Sequence, residues 1–398
     1  MSAREAVVIE AVRSPLVRGR AGGAFSQLHP VELLAQVLGG MVQATGIDPG
    51  EVDDVIGGCV TQVGEQSANV TRGAVLAAGF PESVPATTVD RQCGSSQQAV
   101  AFAAQGIVSG AYDLVIACGV ESMSRVPMFT NQAGADPYGP SVATRYDGGL
   151  VPQGIAAELV AAKWDIGRSA LDEFAVRSHE LAAEARRAGR LGLSVVPVTV
   201  DPSAPAVTKD DGIRTDTDVH KLAGLRPAFR DEAYTRRFPQ IDWRVTAGNS
   251  SQISDGASAV LLASREKAAR LGLRPRARIR SSVVVGDDPV LMLTAVVPAT
   301  LKALRRTGLT VDDIDAFEVN EAFASVPLAW LAETGADPRR LNPHGGAIAL
   351  GHPLGASGAR LLCTLLDVLE TGGGRLGLQT MCEAGGLANA TVVERLDG

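Results

Sequence analysis

The sequence predicts an α/β protein built from two related halves. Three observations support this prediction. Short apolar segments alternate with helical ones, the order of elements in the first third of the chain returns in the last third, and glycine-rich turns separate them. Composition agrees, since 45% of the 398 residues are hydrophobic, 4% are aromatic and 44 are glycine. We therefore expect a core of Ala, Val and Leu with tight turns around it.

The first half is predicted from apolar or β-branched runs that turn residues interrupt. Helical periodicity begins at Pro30, which a first helical position tolerates, and Gly46 is a typical stop. Another helix follows the small residues after Cys93. The predicted strands cover residues 6–12, 53–60, 86–90 and 114–117, and the predicted helices cover residues 30–44 and 97–109.

The last third repeats this order of elements. Gly308 and Leu309 precede an acidic segment and a strand, as Gly46 and Ile47 do in the first half. This similarity predicts an internal duplication. The predicted strands cover residues 276–285, 316–319 and 376–381, and the predicted helices cover residues 298–306 and 355–369.

Residues 126–245 differ in composition and predict a loop domain inserted over the sheet edges. It should contain helices over residues 155–164 and 171–190, the second capped by Ser169. We expect a first half over residues 1–268, including this loop domain, and a second half over residues 275–398.

Charge and terminal patterns exclude several classes of protein. The net charge is −7, so the basic footprint of a nucleic-acid-binding protein is absent. The N-terminus has no long apolar segment typical of a signal peptide, and no apolar run approaches the ~18 residues of a membrane span. A cytoplasmic protein is therefore expected. The five cysteines form no C-x-x-C pair, which argues against a disulfide framework and a metal site: Cys59, Cys93, Cys118, Cys363 and Cys382.

Cys93 lies where a predicted strand changes sharply to a helix. A thiol at a helix N-terminus is close to free backbone N–H groups and to the positive end of the helix dipole, both of which favour the thiolate. The small residues Gly94, Ser95 and Ser96 leave room for an acyl group. The alternative is a packed turn cysteine.

His352 lies in the corresponding glycine-rich turn of the second half, between Gly351 and Pro353. If the halves pack face to face, His352 and Cys93 could meet, and a Cys–His pair activates a thiol at neutral pH. A histidine with only a structural role remains the alternative. His344 is a possible second group on the substrate side.

Two further residues follow predicted strands of the second half. Cys382 precedes a Glu-Ala-Gly-Gly turn, and a second thiol could move a proton next to a thioester. Asn320 could position a water or an oxyanion. Taken singly, Cys382 is more often explained as a packed strand-end cysteine, and Asn320 as a helix cap.

Together these motifs resemble the thiolase family, and the resemblance runs almost end to end. Residues 119–124 and 246–257 support it, and residues 59–66 are similar to actinobacterial acyl-CoA thiolases, including those that act on steroid side chains. The resemblance implies two duplicated βαβαβαββ halves in an α-β-α-β-α layering. It also implies thiolytic cleavage of 3-ketoacyl-CoA to acetyl-CoA and a shortened acyl-CoA, or the reverse Claisen condensation.

The resemblance also implies a role for each of these residues. Cys93 would become the acyl-thioester, while His352 takes its proton and shares a thioester oxygen with a water held by Asn320. Cys382 would be the acid/base at the carbon next to the thioester. The backbone N–H groups of Cys93 and Ala384 would form a second oxyanion hole.

Coenzyme A would be a substrate, with no metal and no tightly bound cofactor, in a homodimer or homotetramer. By family position Arg214 would lie near its nucleotide and Ser251 near its pantetheine arm, with Ala322 and Phe323 along the tunnel. Residues 220–244 offer a basic surface, although a solvated loop is an equal alternative. Its six cations face three acids: Lys221, Arg226, Arg230, Arg236, Arg237 and Arg244 against Asp231, Glu232 and Asp242.

The chain departs from the family pattern at three places. Ser96 and Ala384 stand where glycine is common, and a left-handed backbone at Ala384 would cost roughly 1 kcal/mol or more. Residues 148–154 lack the His-Met pair of short-chain biosynthetic members, which argues against acetoacetyl-CoA specificity.

Two other functions remain as alternatives. A ketoacyl-synthase-like condensing enzyme would need a second histidine in place of Cys382. A non-catalytic acyl-CoA-binding protein would explain Ser96 and Ala384, but not the intact set of four reactive side chains.

Overall fold

A computed structural model describes residues 4–397 of the chain. Its strands are β1 (Ala6–Arg13), β2 (Val17–Arg18), β3 (Asp54–Gly58), β4 (Ala86–Val89), β5 (Leu114–Ser122), β6 (Ser254–Ser264), β7 (Ala277–Gly286), β8 (Ala316–Val319), β9 (Leu376–Glu383) and β10 (Leu387–Arg395). Its helices are α1 (Pro30–Thr45), α2 (Val70–Ala77), α3 (Ser95–Ser109), α4 (Gly139–Arg145), α5 (Gln153–Lys163), α6 (Arg168–Arg187), α7 (Val219–Ala223), α8 (Glu232–Arg237), α9 (Arg265–Arg270), α10 (Val296–Thr307), α11 (Ser325–Thr334), α12 (Ala347–Leu350) and α13 (Ser357–Gly372).

The two halves have matching strand orders. The first half runs β4-β3-β5-β6-β1, with β3 parallel to β4 and β5. The second runs β8-β9-β10-β7, and an isolated parallel bridge from Phe317 to Leu341 takes the place that β4 has in the first half. Short β1–β7 pairing at Val7 and Val8 joins both halves into one sheet. The predicted duplication is confirmed.

Helices form three layers: one between the two halves of the sheet, and one on the outer face of each half. α3 and α13 contact each other and contact strands of both halves, so they form the central layer. α1 and α2 cover the outer face of the first half, and α10 covers that of the second. The order α-β-α-β-α of the predicted fold class is therefore confirmed.

Most predicted elements are present, with boundaries that shift by a few residues. Gly46 ends α1 with a left-handed φ of 67°, as expected. The predicted cap at Ser169 is wrong, because α6 begins at Arg168 and its N-cap is Gly167, which has no side chain to accept a hydrogen bond.

Residues 126–245, here called the insertion, contain α4 to α8 and reconnect β5 with β6. A buried ion pair anchors the insertion to the sheet, since Arg13 of β1 and Asp210 form two hydrogen bonds of 2.7 and 2.9 Å. Among the described residues, no helix is both long and apolar enough to cross a membrane.

Candidate active site

A cavity of about 540 Å³ opens where the insertion meets the turn that contains Cys93. Cys93, Leu354 and Ala384 line its inner end, and Met292 contributes from the second half. The outer walls come mainly from the insertion, through Met128, Phe129, Tyr138, Leu150, Val151 and Tyr234. The cavity therefore combines a thiol with a mainly apolar wall.

The Cys93 turn, residues 89–96, is held in a strained shape. Gln92 has a left-handed φ of 48°, and Gly94 is the N-cap of α3. The hydroxyl of Ser95 accepts the Arg91 N–H at 2.9 Å and donates to the Gln92 carbonyl at 2.6 Å. These bonds fix Cys93 one residue before the helix cap, at the cavity and 4% exposed.

Burial dominates the electrostatics of Cys93. It raises the pKa of the thiol well above its usual value, and the neighbouring Cys382 and Glu383 raise it further. The helix terminus was expected to favour the thiolate, but burial acts in the opposite direction and dominates. The partial charge of a helix end does not offset the loss of hydration in this dry turn.

His352 precedes the cavity residue Leu354 by two positions, and its ring contacts fix its tautomer. Its Nδ1 is 2.6 Å from Ser357 Oγ, whose own hydrogen is donated to the Pro353 carbonyl at 2.8 Å. Nδ1 must therefore carry a proton and donate it to Ser357, which leaves Nε2 as an acceptor. Burial, and then the charge of Arg360, lower the pKa of His352 to about 3, so the ring is neutral.

Asn320 lies directly after β8 and faces His352. Its Nδ2 is 3.4 Å from His352 Nε2, and its Oδ1 has no hydrogen-bond partner within residues 4–397. It is not a helix cap, because α11 begins at Ser325 and is preceded by Ala324. The amide is thus available to bind a water or a substrate oxygen.

Cys382 lies in β9 opposite Ala388 and is 1% exposed. Burial raises its pKa to about 12, so it also holds its proton at neutral pH. The side chain of the next residue, Glu383, contacts Gly94, so the turns that contain the two thiols lie against each other. The site therefore contains two protonated thiols and one unprotonated imidazole nitrogen, which accepts from Asn320.

The Cys382 turn, residues 382–386, explains how an alanine is tolerated there. Positive φ angles of 85° and 78° fall on Gly385 and Gly386, whereas Ala384 has none. The condition for strain at Ala384, a left-handed backbone, is therefore not met. Neither the Cys93 N–H nor the Ala384 N–H donates a hydrogen bond to another residue within the described chain, which leaves both free for an oxyanion.

Comparison with known proteins gives the family. Residues 6–266 match the thiolase N-terminal domain, and residues 273–395 match the thiolase C-terminal domain. The chain belongs to the thiolase family. It is an acyl-CoA C-acyltransferase, as the resemblance of its motifs predicted.

Several relatives of this thiolase cover nearly its whole length. It is 48% identical over 400 residues to the steroid 3-ketoacyl-CoA thiolase FadA6 of Mycobacterium tuberculosis, covering 98% of this chain and 94% of that protein. It is 42% identical to a 3-ketoacyl-CoA thiolase of Hahella chejuensis, covering 100% of both chains. The crystal structure of the Bacillus anthracis acetyl-CoA acetyltransferase superposes with a TM-score of 0.88, at 37% identity and 99% coverage of each chain.

The residues predicted to contact coenzyme A lie outside the lining of the cavity. The Ser251 N–H donates to the Ala322 carbonyl at 2.9 Å, which joins two of them directly. Phe323 packs edge-on against Phe229, with ring centroids 5.8 Å apart. Arg214 is exposed, and its backbone N–H donates to His179 at 3.1 Å. None of the predicted four lines the cavity described above.

The basic segment of residues 220–244 is partly used internally. Arg237 donates to the Tyr146 and Gly149 carbonyls, and Arg244 is bonded to Asp242 and the Ile166 carbonyl. Arg226 and Arg230, like Arg214, are exposed and form no ion pair within residues 4–397. These three guanidinium groups are available to an anion.

Two buried glutamates hold the site loops, and sequence reasoning missed both. Glu121 accepts hydrogen bonds from the backbone of Val60, Thr61 and Gly355 at 2.8–3.1 Å, which ties the cavity wall to the His352 turn. Glu321 holds Ser178, Asn342 and Ile348 in the same way. Glu121 lies within the apolar strand β5 and Glu321 follows β8 by two residues, so the available signal was a carboxylate in or just after an apolar strand.

His344 is 4% exposed, and burial lowers its pKa to about 4. It does not line the cavity, so its proposed role on the substrate side has no support from the geometry. Among residues 4–397, no cluster of three or more His, Cys, Asp or Glu side chains is placed to bind a metal.

Proposed function

We propose that this thiolase cleaves 3-ketoacyl-CoA with coenzyme A through an acyl-Cys93 intermediate, and that it can run the reverse condensation. One observation carries the proposal. The Cys93 thiol lines a cavity with mainly apolar walls, and its turn contacts the Cys382 turn through Glu383. His352, whose Nε2 is unprotonated, lies two residues before Leu354 of the same cavity wall. Carbon–carbon cleavage of a 3-ketothioester requires a nucleophile, a base for it and a separate acid for the leaving carbanion.

In the first step, the Cys93 thiol gives its proton to His352 Nε2, and the sulfur attacks the 3-keto carbon. Because the Cys93 thiol and the His352 imidazole are both neutral at rest, proton transfer accompanies the attack of the sulfur on the carbonyl carbon. The Cys93 and Ala384 N–H groups would hold the developing oxyanion. Each such donor is worth roughly 2.7–4 kcal/mol of barrier.

In the second step, the C2–C3 bond breaks and its electron pair becomes the enolate of acetyl-CoA. Protonated His352 and a water on Asn320 would hold the enolate oxygen, and Cys382 would give its proton to C2. Coenzyme A then gives its thiol proton to the Cys382 thiolate and attacks the acyl-Cys93 carbonyl. Cys93 leaves and regains its proton from His352, so every group returns to its starting state.

The cavity favours a bulky apolar acyl group over acetoacetyl. Its volume of about 540 Å³ falls in the range of pockets that enclose drug-sized ligands. Phe129 and Tyr138 line it and are themselves 60% and 48% exposed. A bound apolar acyl group would bury this exposed aromatic surface. The mycobacterial relative is named for a steroid substrate, which fits this class.

We also propose that the chain divides at residues 268–275 and forms a cytoplasmic homodimer or homotetramer. The division is supported by the matched strand orders of the halves. Self-association is supported by β4, an edge strand of the sheet whose residues are partly exposed and can pair with another edge.

The test measures loss of the Mg²⁺-enolate absorbance of 3-ketoacyl-CoAs from acetoacetyl to long-chain and steroid-side-chain forms. Wild type is compared with Cys93→Ala and with Cys118→Ala, a matched control whose thiol is buried in β5 away from the cavity. Turnover that survives in Cys118→Ala and disappears in Cys93→Ala supports the proposal. If no substrate is turned over while coenzyme A still binds, the non-catalytic alternative is correct.

A further inference from the structure

The side chain of Glu383 lies between the Cys93 turn and the Cys382 turn, and the steps above give it no role. It follows Cys382 directly in β9 and is 0% exposed. A Cβ atom at position 94 would collide with its Oε1, so the carboxyl fills the space left by Gly94. Glu383 thus touches the turns of both thiols.

The carboxyl is unusually poor in partners. Neither of its oxygens has a hydrogen bond within residues 4–397, although it is fully buried. Asn389 of β10 lies beside it and donates instead to the Gly94 carbonyl at 3.2 Å. An ionised carboxylate left without donors in such a place is strongly destabilised, whereas a neutral carboxylic acid is tolerated.

The charges that face Glu383 do not reverse the preference for the neutral carboxylic acid. Arg91 and Asp90, both in the Cys93 turn, act in opposite directions, and burial raises the pKa of Glu383 to about 8. The titratable groups on its other sides are the two thiols, and a negative charge on Glu383 raises the pKa of both. Its protonation state therefore bears on thiolate formation.

We infer that Glu383 is a positioning residue which carries a proton in the resting enzyme, supports the Cys93 turn through Gly94, and hinders the Cys93 thiolate when it ionises. The inference deepens the proposed function and rests on it for the role of Cys93. Its test does not require turnover, because alkylation of Cys93 reports the thiolate directly.

The experiment measures the rate of Cys93 alkylation by iodoacetamide, by intact-protein mass spectrometry, over a pH series on both sides of about 8. Wild type is compared with Glu383→Gln, which keeps the shape and stays neutral. The matched control is Glu318→Gln, another fully buried carboxyl without hydrogen bonds, which faces Arg360 instead of a thiol. Cys93→Ser gives the background rate.

Glu383→Gln should match wild type below pH 8 and exceed it by about tenfold at the alkaline end, the effect of about one pKa unit of repulsion. Glu318→Gln should follow wild type throughout. Infrared spectra at neutral pH should contain a protonated carboxyl band that Glu383→Gln lacks. Coincident alkylation profiles for wild type and Glu383→Gln, or an unchanged carboxyl band, would overturn the inference whether or not thiolase turnover is found.

A further variant distinguishes the steric support that Glu383 gives the Cys93 turn from the effect of its charge. Glu383→Ala should lower kcat/KM by about fivefold or more below pH 8, because about 1 kcal/mol of support is lost. Glu383→Gln should retain wild-type kcat/KM there. Equal losses in the two variants would contradict a positioning role for a neutral side chain.

Discussion

The Nδ1 atom of His352 lies 2.6 Å from the hydroxyl oxygen of Ser357, and this contact decides which imidazole nitrogen faces the substrate. Ser357 is fixed in turn by its bond to the Pro353 carbonyl. Because a hydroxyl has a single hydrogen to donate, the network leaves Nε2 unprotonated on the side of Asn320. The orientation of the base thus depends on the first residue of α13.

Replacing Ser357 by alanine should remove the hydrogen bond that fixes the tautomer of His352. We expect kcat/KM to fall by about 5–30-fold, the effect of losing about 1–2 kcal/mol from a hydrogen bond. Steady-state kinetics across a pH series provides the measurement. Thr364→Val, which removes a similar hydroxyl bonded to the Arg360 carbonyl farther along α13, is the control. Wild-type kinetics in Ser357→Ala would show that the tautomer is set elsewhere.

Replacing Cys382 by alanine should stop proton transfer at C2. Exchange of the acetyl-CoA methyl protons for deuterium, followed by NMR, should slow by about a hundredfold or more. Cys363→Ala makes the same change within α13 and should exchange at the wild-type rate. Undiminished exchange in Cys382→Ala would require a different acid/base.

The three exposed guanidinium groups should attract the phosphates of coenzyme A. Changing Arg214, Arg226 and Arg230 together to glutamine should raise the KM for coenzyme A by roughly tenfold, since each exposed ion pair contributes up to about 1 kcal/mol. The kcat should stay unchanged, and salt should affect the KM less than in wild type. Arg305→Gln, an exposed arginine of α10, is the control. An unaltered KM would mean that other residues bind the phosphates of coenzyme A.

Acid should destabilise the fold through its buried histidines. The pKa of His344 is lowered to about 4 by burial, so the unfolded chain binds a proton that the folded chain does not in the window from about 6.5 down to about 4. Stability conferred by the neutral ring is present above this window and is lost as pH falls through it.

Urea unfolding measured along this window should give a pH slope that is smaller in His344→Gln by about 1.4 kcal/mol per pH unit. His220→Gln, an exposed position, should keep the wild-type slope. If both variants keep that slope, His344 is not the group that titrates.

Sequence patterns missed two long strands of the sheet, β6 and β10. β6 was not predicted, because all eleven of its residues are buried and its small side chains show no alternation. β10 also went unpredicted, although it pairs along its length with β7 and β9. Where both faces of a strand are covered, period-two patterning disappears and length alone remains as a signal.

The sequence also predicted the residues of the site better than their protonation states. The identities of Cys93, His352, Cys382 and Asn320 follow from motifs, which depend on local residue order. Their protonation states do not, because the pKa of Cys93 depends on burial and on Cys382 and Glu383 from the far end of the chain. The backbone conformation at Ala384 could not be predicted either, since the hairpin places its left-handed positions at the following two glycines.

The contact of α3 with α13 has a consequence for synthesis of the chain. α3 is complete at Ser109, but the helix that covers its inner face begins at Ser357. A growing or truncated polypeptide therefore presents the apolar side of α3 to water for most of its length. Such intermediates are the species that chaperones bind and proteases cut, so a stalled or nonsense-truncated chain should be cleared and not accumulate as a half-enzyme.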